Sequence, residues 1–198
     1  MRRSVSLVLI SAGLAFCASP AWAHSGATLQ GGFASGFLHP IGGPDHLLAM
    51  VAVGLWGAFL GRPLVLILPV IFPTVMAVGG VLGMLGVPMP PVELGIAVSV
   101  LMLGFMVAAA FRAPVWAASL VVGLFAVFHG YAHGQELPVA ADPVAYSLGF
   151  VLATGLLHVA GIAVGMLNAR PLGRVVTRGL GAFIAAAGVY FLYAAAVA

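Results

Sequence analysis

The chain has 198 residues, of which 63% are hydrophobic and 6% charged, with a formal net charge of +3. A soluble domain carries about 25% charged residues, so a mean hydropathy of +1.22 excludes a water-solvated globule and makes lipid the solvent. The basic balance comes from seven arginines and no lysine; no basic patch with interleaved aromatics occurs, which sets nucleic acid aside as a partner.

In chain order, residues 1–23 read as a secretory signal peptide. Arg2 and Arg3 open it, residues 5–16 are apolar, and Ala21-Trp22-Ala23 is a small-x-small cleavage site. The apolar run is too short for a membrane span. Cys17 is the one cysteine and leaves with this segment, so the mature chain has no disulfide and no thiolate ligand. Cleavage makes His24 the first residue, pairing a free amine with an imidazole.

Residues 24–198 are expected to form a single all-α domain, a polytopic membrane helix bundle of six transmembrane helices. Spans of about 20 apolar residues fall at 44–61, 64–85, 92–111, 115–133, 144–168 and 179–197. Arg62-Pro63, the proline-rich stretch 86–91, Arg112-Ala113-Pro114, the polar stretch 134–143 and the arginine-bearing stretch 168–178 break them. Placing the mature N-terminus and the C-terminus on the periplasmic side of a bacterial inner membrane puts Arg62, Arg112, Arg170, Arg174 and Arg178 in cytoplasmic turns. All four acids (Asp45, Glu93, Glu136, Asp142) then face outward, with His24, His39, His46, His129 and His133. Gly161-x-x-x-Gly165 and the Gly79-Gly80-Gly83 cluster permit close helix contact. Pro69 and Pro73, one turn apart, should bend the second span.

Two constellations carry chemistry. Residues 39–46 read HPIGGPDH. The prolines and glycines suggest a non-helical approach to the bilayer, with Asp45 capping a helix that starts at His46 and His39 folding back over the turn. Met50 lies one turn below His46 on the same face. Residues 128–136 read FHGYAHGQE. His129 and His133 are four apart, so both rings leave one helix face, and Glu136 follows where Gly134 lets the helix end. An imidazole pair with a carboxylate nearby is a ready metal site. A single histidine or aspartate is more often a packed or capping group. In lipid, however, an ionisable side chain costs about 2.5–3.5 kcal/mol at a helix centre, and so many together point to a divalent transition metal. His158 sits about 21 Å below the outer end of its span, at 1.5 Å per residue, as a stop on a path or a structural hydrogen bond. Glu93, at the outer start of the third span, either touches the cation or serves the helix N-terminus.

At these two motifs the chain resembles the HupE/UreJ family of nickel and cobalt permeases. HPIGGPDH matches an H-P-x-x-G-x-D-H pattern, and FHGYAHGQE follows in the same order. A second nickel/cobalt permease family carries H-x4-D-H, whereas five residues separate His39 from Asp45 here. The resemblance implies secondary uptake of Ni²⁺ or Co²⁺ in service of nickel enzymes such as hydrogenase or urease. It implies that His39, Asp45 and His46 act in transport, with His129, His133 and Glu136 beside them. The ion is then cargo, with no permanently bound cofactor.

Ligand type alone does not separate Ni²⁺ and Co²⁺ from Zn²⁺ and Cu²⁺. The sequence has no G-x-x-x-x-G-K-[ST] loop, so this polypeptide does not couple directly to ATP. The rival readings are an intramembrane zinc-dependent hydrolase using His129, His133, His46 and Asp45, a b-type haem protein, and a non-transporting membrane metal-binding protein. A homo-oligomer stays open.

Overall fold

A computed structural model describes residues 32–136 and 142–197. The proposed signal peptide and His24 lie outside the described residues. The described residues are mostly helical, and no strand occurs among them. The elements are α1 (Phe33–Gly42), α2 (Pro44–Leu60), α3 (Leu64–Met84), α4 (Val92–Ala108), α5 (Val115–Glu136), α6 (Pro143–Gly165), a 3₁₀ turn (Met166–Ala169) and α7 (Pro171–Val197).

Four helical stretches are long and apolar enough to cross a bilayer: α3, α5, α6 with its 3₁₀ extension, and α7. The pair α1–α2 qualifies as a fifth when taken together, although it bends by 82° at Gly43. Helix α4 is apolar but has only 17 residues. Large apolar side chains such as Val70, Leu120, Leu124, Leu148 and Val159 are exposed along the bundle. A continuous surface of that kind needs lipid rather than water around it.

Several sequence expectations are corrected. The stretch before residue 44 is helical: His39 and Pro40 belong to the last turns of α1. Propensity is a weak prior that packing overrides, and here Gly36 lies so close to the Tyr146 backbone of α6 that a Cβ would collide with it. Helix α2 begins at Pro44, not His46, with Gly43 as its N-cap residue and no side-chain cap. Pro44 suits the first turn, where its missing N–H costs nothing. Asp45 is therefore inside the first turn.

Helix α4 stops at Ala108 rather than 111. Helix α5 continues through Gly134 to Glu136, because Gly134 is a packing residue whose Cβ would strike the Gly80 backbone of α3. The fifth span ends in the 3₁₀ turn. The last helix starts at Pro171 rather than 179, so Arg174 and Arg178 lie on its first turns.

Helices α3 and α5 form one tight pair, α4 and α7 another, and α6 packs against both α1 and α2. Trp56, Phe72, Met50, Leu55, Leu68 and Leu103 fill the centre with less than 2% exposure. At one end, Arg178 Nε donates to the Ala108 carbonyl at 2.8 Å and Trp56 Nε1 donates to the Phe111 carbonyl at 3.0 Å. The Arg112 guanidinium lies 5.7 Å from the Phe59 ring centroid at the same end. The start of α2, the close of α1 and the close of α5 meet at the opposite end, so the two motifs converge away from the arginines.

Candidate metal centre

Three helices supply the imidazoles. His39 comes from the last turn of α1, His46 from the first turn of α2, and His129 and His133 from α5. The break at Gly43 lets α1 and α2 present His39 and His46 to the same space, with centroids 6.3 Å apart. The i, i+4 spacing on α5 aims its two rings at that space. The rings then form a continuous file. His39 to His133 is 4.9 Å, His133 to His46 is 4.7 Å, and His46 to His129 is 4.8 Å between centroids.

The file runs from surface to core. The His39 and Glu136 side chains are 15% and 19% exposed, His133 and His46 are 8% and 3%, and His129 is fully buried. One carboxylate stands at its mouth. Glu136 Oε2 lies 3.3 Å from His39 Nε2 and 3.5 Å from His133 Nδ1. One donor atom from each of His39, His133 and Glu136 falls within 4.8 Å of the others. Donors bound to one ion at about 2.1 Å lie at most about 4.2 Å apart, so this trio needs to contract by only a fraction of an ångström to share a cation.

Deeper in, hydrogen bonding sets the tautomers. The His46 backbone N–H donates to Asp45 Oδ1 at 2.8 Å, and its ring Nδ1–H donates to the same oxygen at 2.9 Å. A carboxylate only accepts, so the His46 lone pair is on Nε2. His129 Nδ1–H donates to the Phe125 carbonyl at 3.1 Å, again leaving Nε2 as the basic atom. Both Nε2 atoms are buried without a hydrogen-bond partner among the described residues. An unsatisfied buried polar group costs about 1–3 kcal/mol. Two of them, on rings whose centroids are 4.8 Å apart, suit a Lewis acid: a dication would occupy lone pairs that nothing among the described residues uses.

Asp45 is not a helix cap; its Oδ1 accepts from the ring and backbone N–H of His46. A carboxylate placed this way orients an imidazole and raises its basicity as a ligand. Glu93 lies exposed in the first turn of α4, and its charge bears on His46 together with those of Asp45 and Glu136. Met50 is wholly buried in the central core. His158 makes no ring contact with the file's histidines among the described residues and packs against Phe72, which also touches His129.

The aromatic wall is what sequence reasoning missed. Phe150 lies 4.2 Å from the His133 ring, and Tyr146 5.9 Å from that of His39, measured between centroids. Phe72 completes it beside His129 at 5.4 Å. Aromatic residues in apolar spans leave no trace in hydropathy that separates a wall from a core.

Comparison with known proteins agrees with the motif pair. The model of the family described as HupE / UreJ protein matches residues 12–191. The chain belongs to the HupE/UreJ family. It is 45% identical over 184 residues to Protein HupE of Rhizobium leguminosarum bv. viciae, covering 92% of this chain and 96% of that one. No solved structure matches the HupE/UreJ chain described here.

Proposed function

We propose that this HupE/UreJ protein is a secondary permease that takes up Ni²⁺ or Co²⁺ across the bacterial inner membrane. The observation that carries the reading is the file of four imidazoles from three helices, closed at its exposed end by Glu136. Nitrogen and oxygen donors without thiolate suit Ni²⁺, Co²⁺, Zn²⁺ or Cu²⁺, and the preference for the first two comes from the family resemblance. Capture begins at His39, His133 and Glu136, and passes inward to His46, held by Asp45, and His129. Met50, Glu93 and, at the mature N-terminus, His24 are secondary candidates.

In this reading the chain crosses the bilayer six times after losing residues 1–23. The α1–α2 pair is the first crossing and α4 the third; the remaining four are α3, α5, α6 and α7. Both termini are periplasmic and the arginine end is cytoplasmic, as the positive-inside bias requires. The partners are the dication and the bilayer, with no permanently bound cofactor.

Proteoliposomes holding the purified chain test this. They are expected to accumulate radioactive Ni²⁺, with Co²⁺ competing, and His133→Ala is expected to abolish accumulation. Binding of Ni²⁺ without accumulation by the wild type would leave a non-transporting metal-binding protein. Amide or lipid hydrolysis lost on chelation would leave a zinc hydrolase.

A further inference from the structure

Below the outer donors, the core holds a second group of polar atoms that nothing engages. His158 on α6 is fully buried, and neither Nδ1 nor Nε2 has a hydrogen-bond partner among the described residues. Thr154, one turn earlier on the same face, is also fully buried, and its Oγ1 has no partner among the described residues. A hydroxyl in a helix usually turns back to the carbonyl four residues before it. Thr74 and Ser147 do so here, each at 2.7 Å; Thr154 does not. Buried polar groups in an apolar bundle are normally bonded, and an intramembrane imidazole marks a functional position by default.

One ring, Phe72, neighbours both His158 and the outer site. The Phe72 centroid lies 5.4 Å from that of His129 and 5.5 Å from that of His158, at interplanar angles of 74° and 78°. Phe72 is itself fully buried. It sits between Pro69 and Pro73 inside α3. Each proline removes one backbone hydrogen bond from the helix, so the turn that carries the ring is the loosest part of α3's ladder.

We propose that His158 and Thr154 form an inner stop for the dication, reached from the outer imidazole file by passing the Phe72 ring. This rests on the permease reading above and deepens it. One imidazole nitrogen and one hydroxyl hold a dication weakly, with water completing its shell. Weak holding is what a stop on the way to release requires, since conduction needs sites that an ion leaves. The outer site, with four imidazoles and a carboxylate, does the capturing.

The test uses the full chain, reconstituted, with Ni²⁺ as the probe. The wild type is expected to take up a tight equivalent and a weak one. His158→Gln is expected to lose the weak equivalent and to slow proteoliposome uptake at least about tenfold, while outer-site affinity stays within about twofold. Thr154→Val, which keeps shape and removes the hydroxyl, is expected to slow uptake in the same direction; it decides the matter if His158→Gln aggregates. His133→Ala is expected to lose the tight equivalent and retain the weak one. Folded His158→Gln or Thr154→Val chains that keep both equivalents and the wild-type rate overturn the inner stop while leaving the permease reading intact. A wild-type chain that binds and moves no Ni²⁺ overturns the permease reading, and the inner stop with it.

Discussion

Replacing Asp45 with asparagine separates an orienting carboxylate from a ligand. Asp45 Oδ1 accepts from both the ring Nδ1–H and the backbone N–H of His46, at 2.9 and 2.8 Å. The asparagine oxygen can accept the same bonds, so the fold and the His46 rotamer survive. What is lost is the negative charge, in a place where the two side chains are only 15% and 3% exposed and water screens little. Removing such an orienting partner lowers metal affinity about 10- to 100-fold, which is about 1.4–2.8 kcal/mol at 1.4 kcal/mol per decade. Isothermal titration of the purified variant with Ni²⁺ gives the number directly. An affinity within about twofold of wild type would refute the argument that the Asp45 charge strengthens His46 as a ligand. A loss well beyond about 100-fold would show Asp45 binding the ion itself.

Other outcomes follow from the same geometry. Glu136→Gln removes the charge that lies 3.3 Å from His39 and 3.5 Å from His133, and should raise the Ni²⁺ concentration for half-maximal uptake by about tenfold or more; an unchanged value would remove Glu136 from the mouth of the site. Nickel affinity should fall as pH drops from about 8 to about 5, because a protonated imidazole has no lone pair to give and binding must expel that proton; a flat titration would exclude ligation by any imidazole that takes up a proton in that range. Gly130→Ala places a methyl group against the Met76 carbonyl and should destabilise the α3–α5 pair by about 1–3 kcal/mol, read as a lower melting temperature in detergent. Gly155→Ala, where nothing lies within 4 Å, is the matched control and should melt with the wild type.

Much of the site was legible before folding. The i, i+4 pair His129 and His133 can only share a face of a helix, and a helix is what a run as apolar as residues 115–133 must form in lipid. The HPIGGPDH stretch was recognisable as a chemical motif but misread as non-helical up to His46. Its two prolines and two glycines break a helix in isolation, whereas contact of Gly36 with the α6 backbone holds α1 helical through Gly42 and puts the break at a single residue, Gly43. Asp45 was read as a cap from its place before an expected helix start. Moving that start back to Pro44 left its carboxylate beside the His46 ring.

What the linear order settled by itself is the solvent, the helical class, the breaks marked by proline and arginine, and the residues able to ligate a cation. These follow from composition and local spacing, which depend on near neighbours along the chain. Tertiary structure alone decided that His46 meets His129 across more than eighty intervening residues, that Asp45 points at an imidazole, and that Phe72 packs beside both His129 and His158. The reason is physical: an apolar helix in lipid satisfies its own backbone whichever way it is turned. Its rotation and its neighbours are chosen by close packing of glycines and side chains from distant segments, and hydropathy does not record that choice.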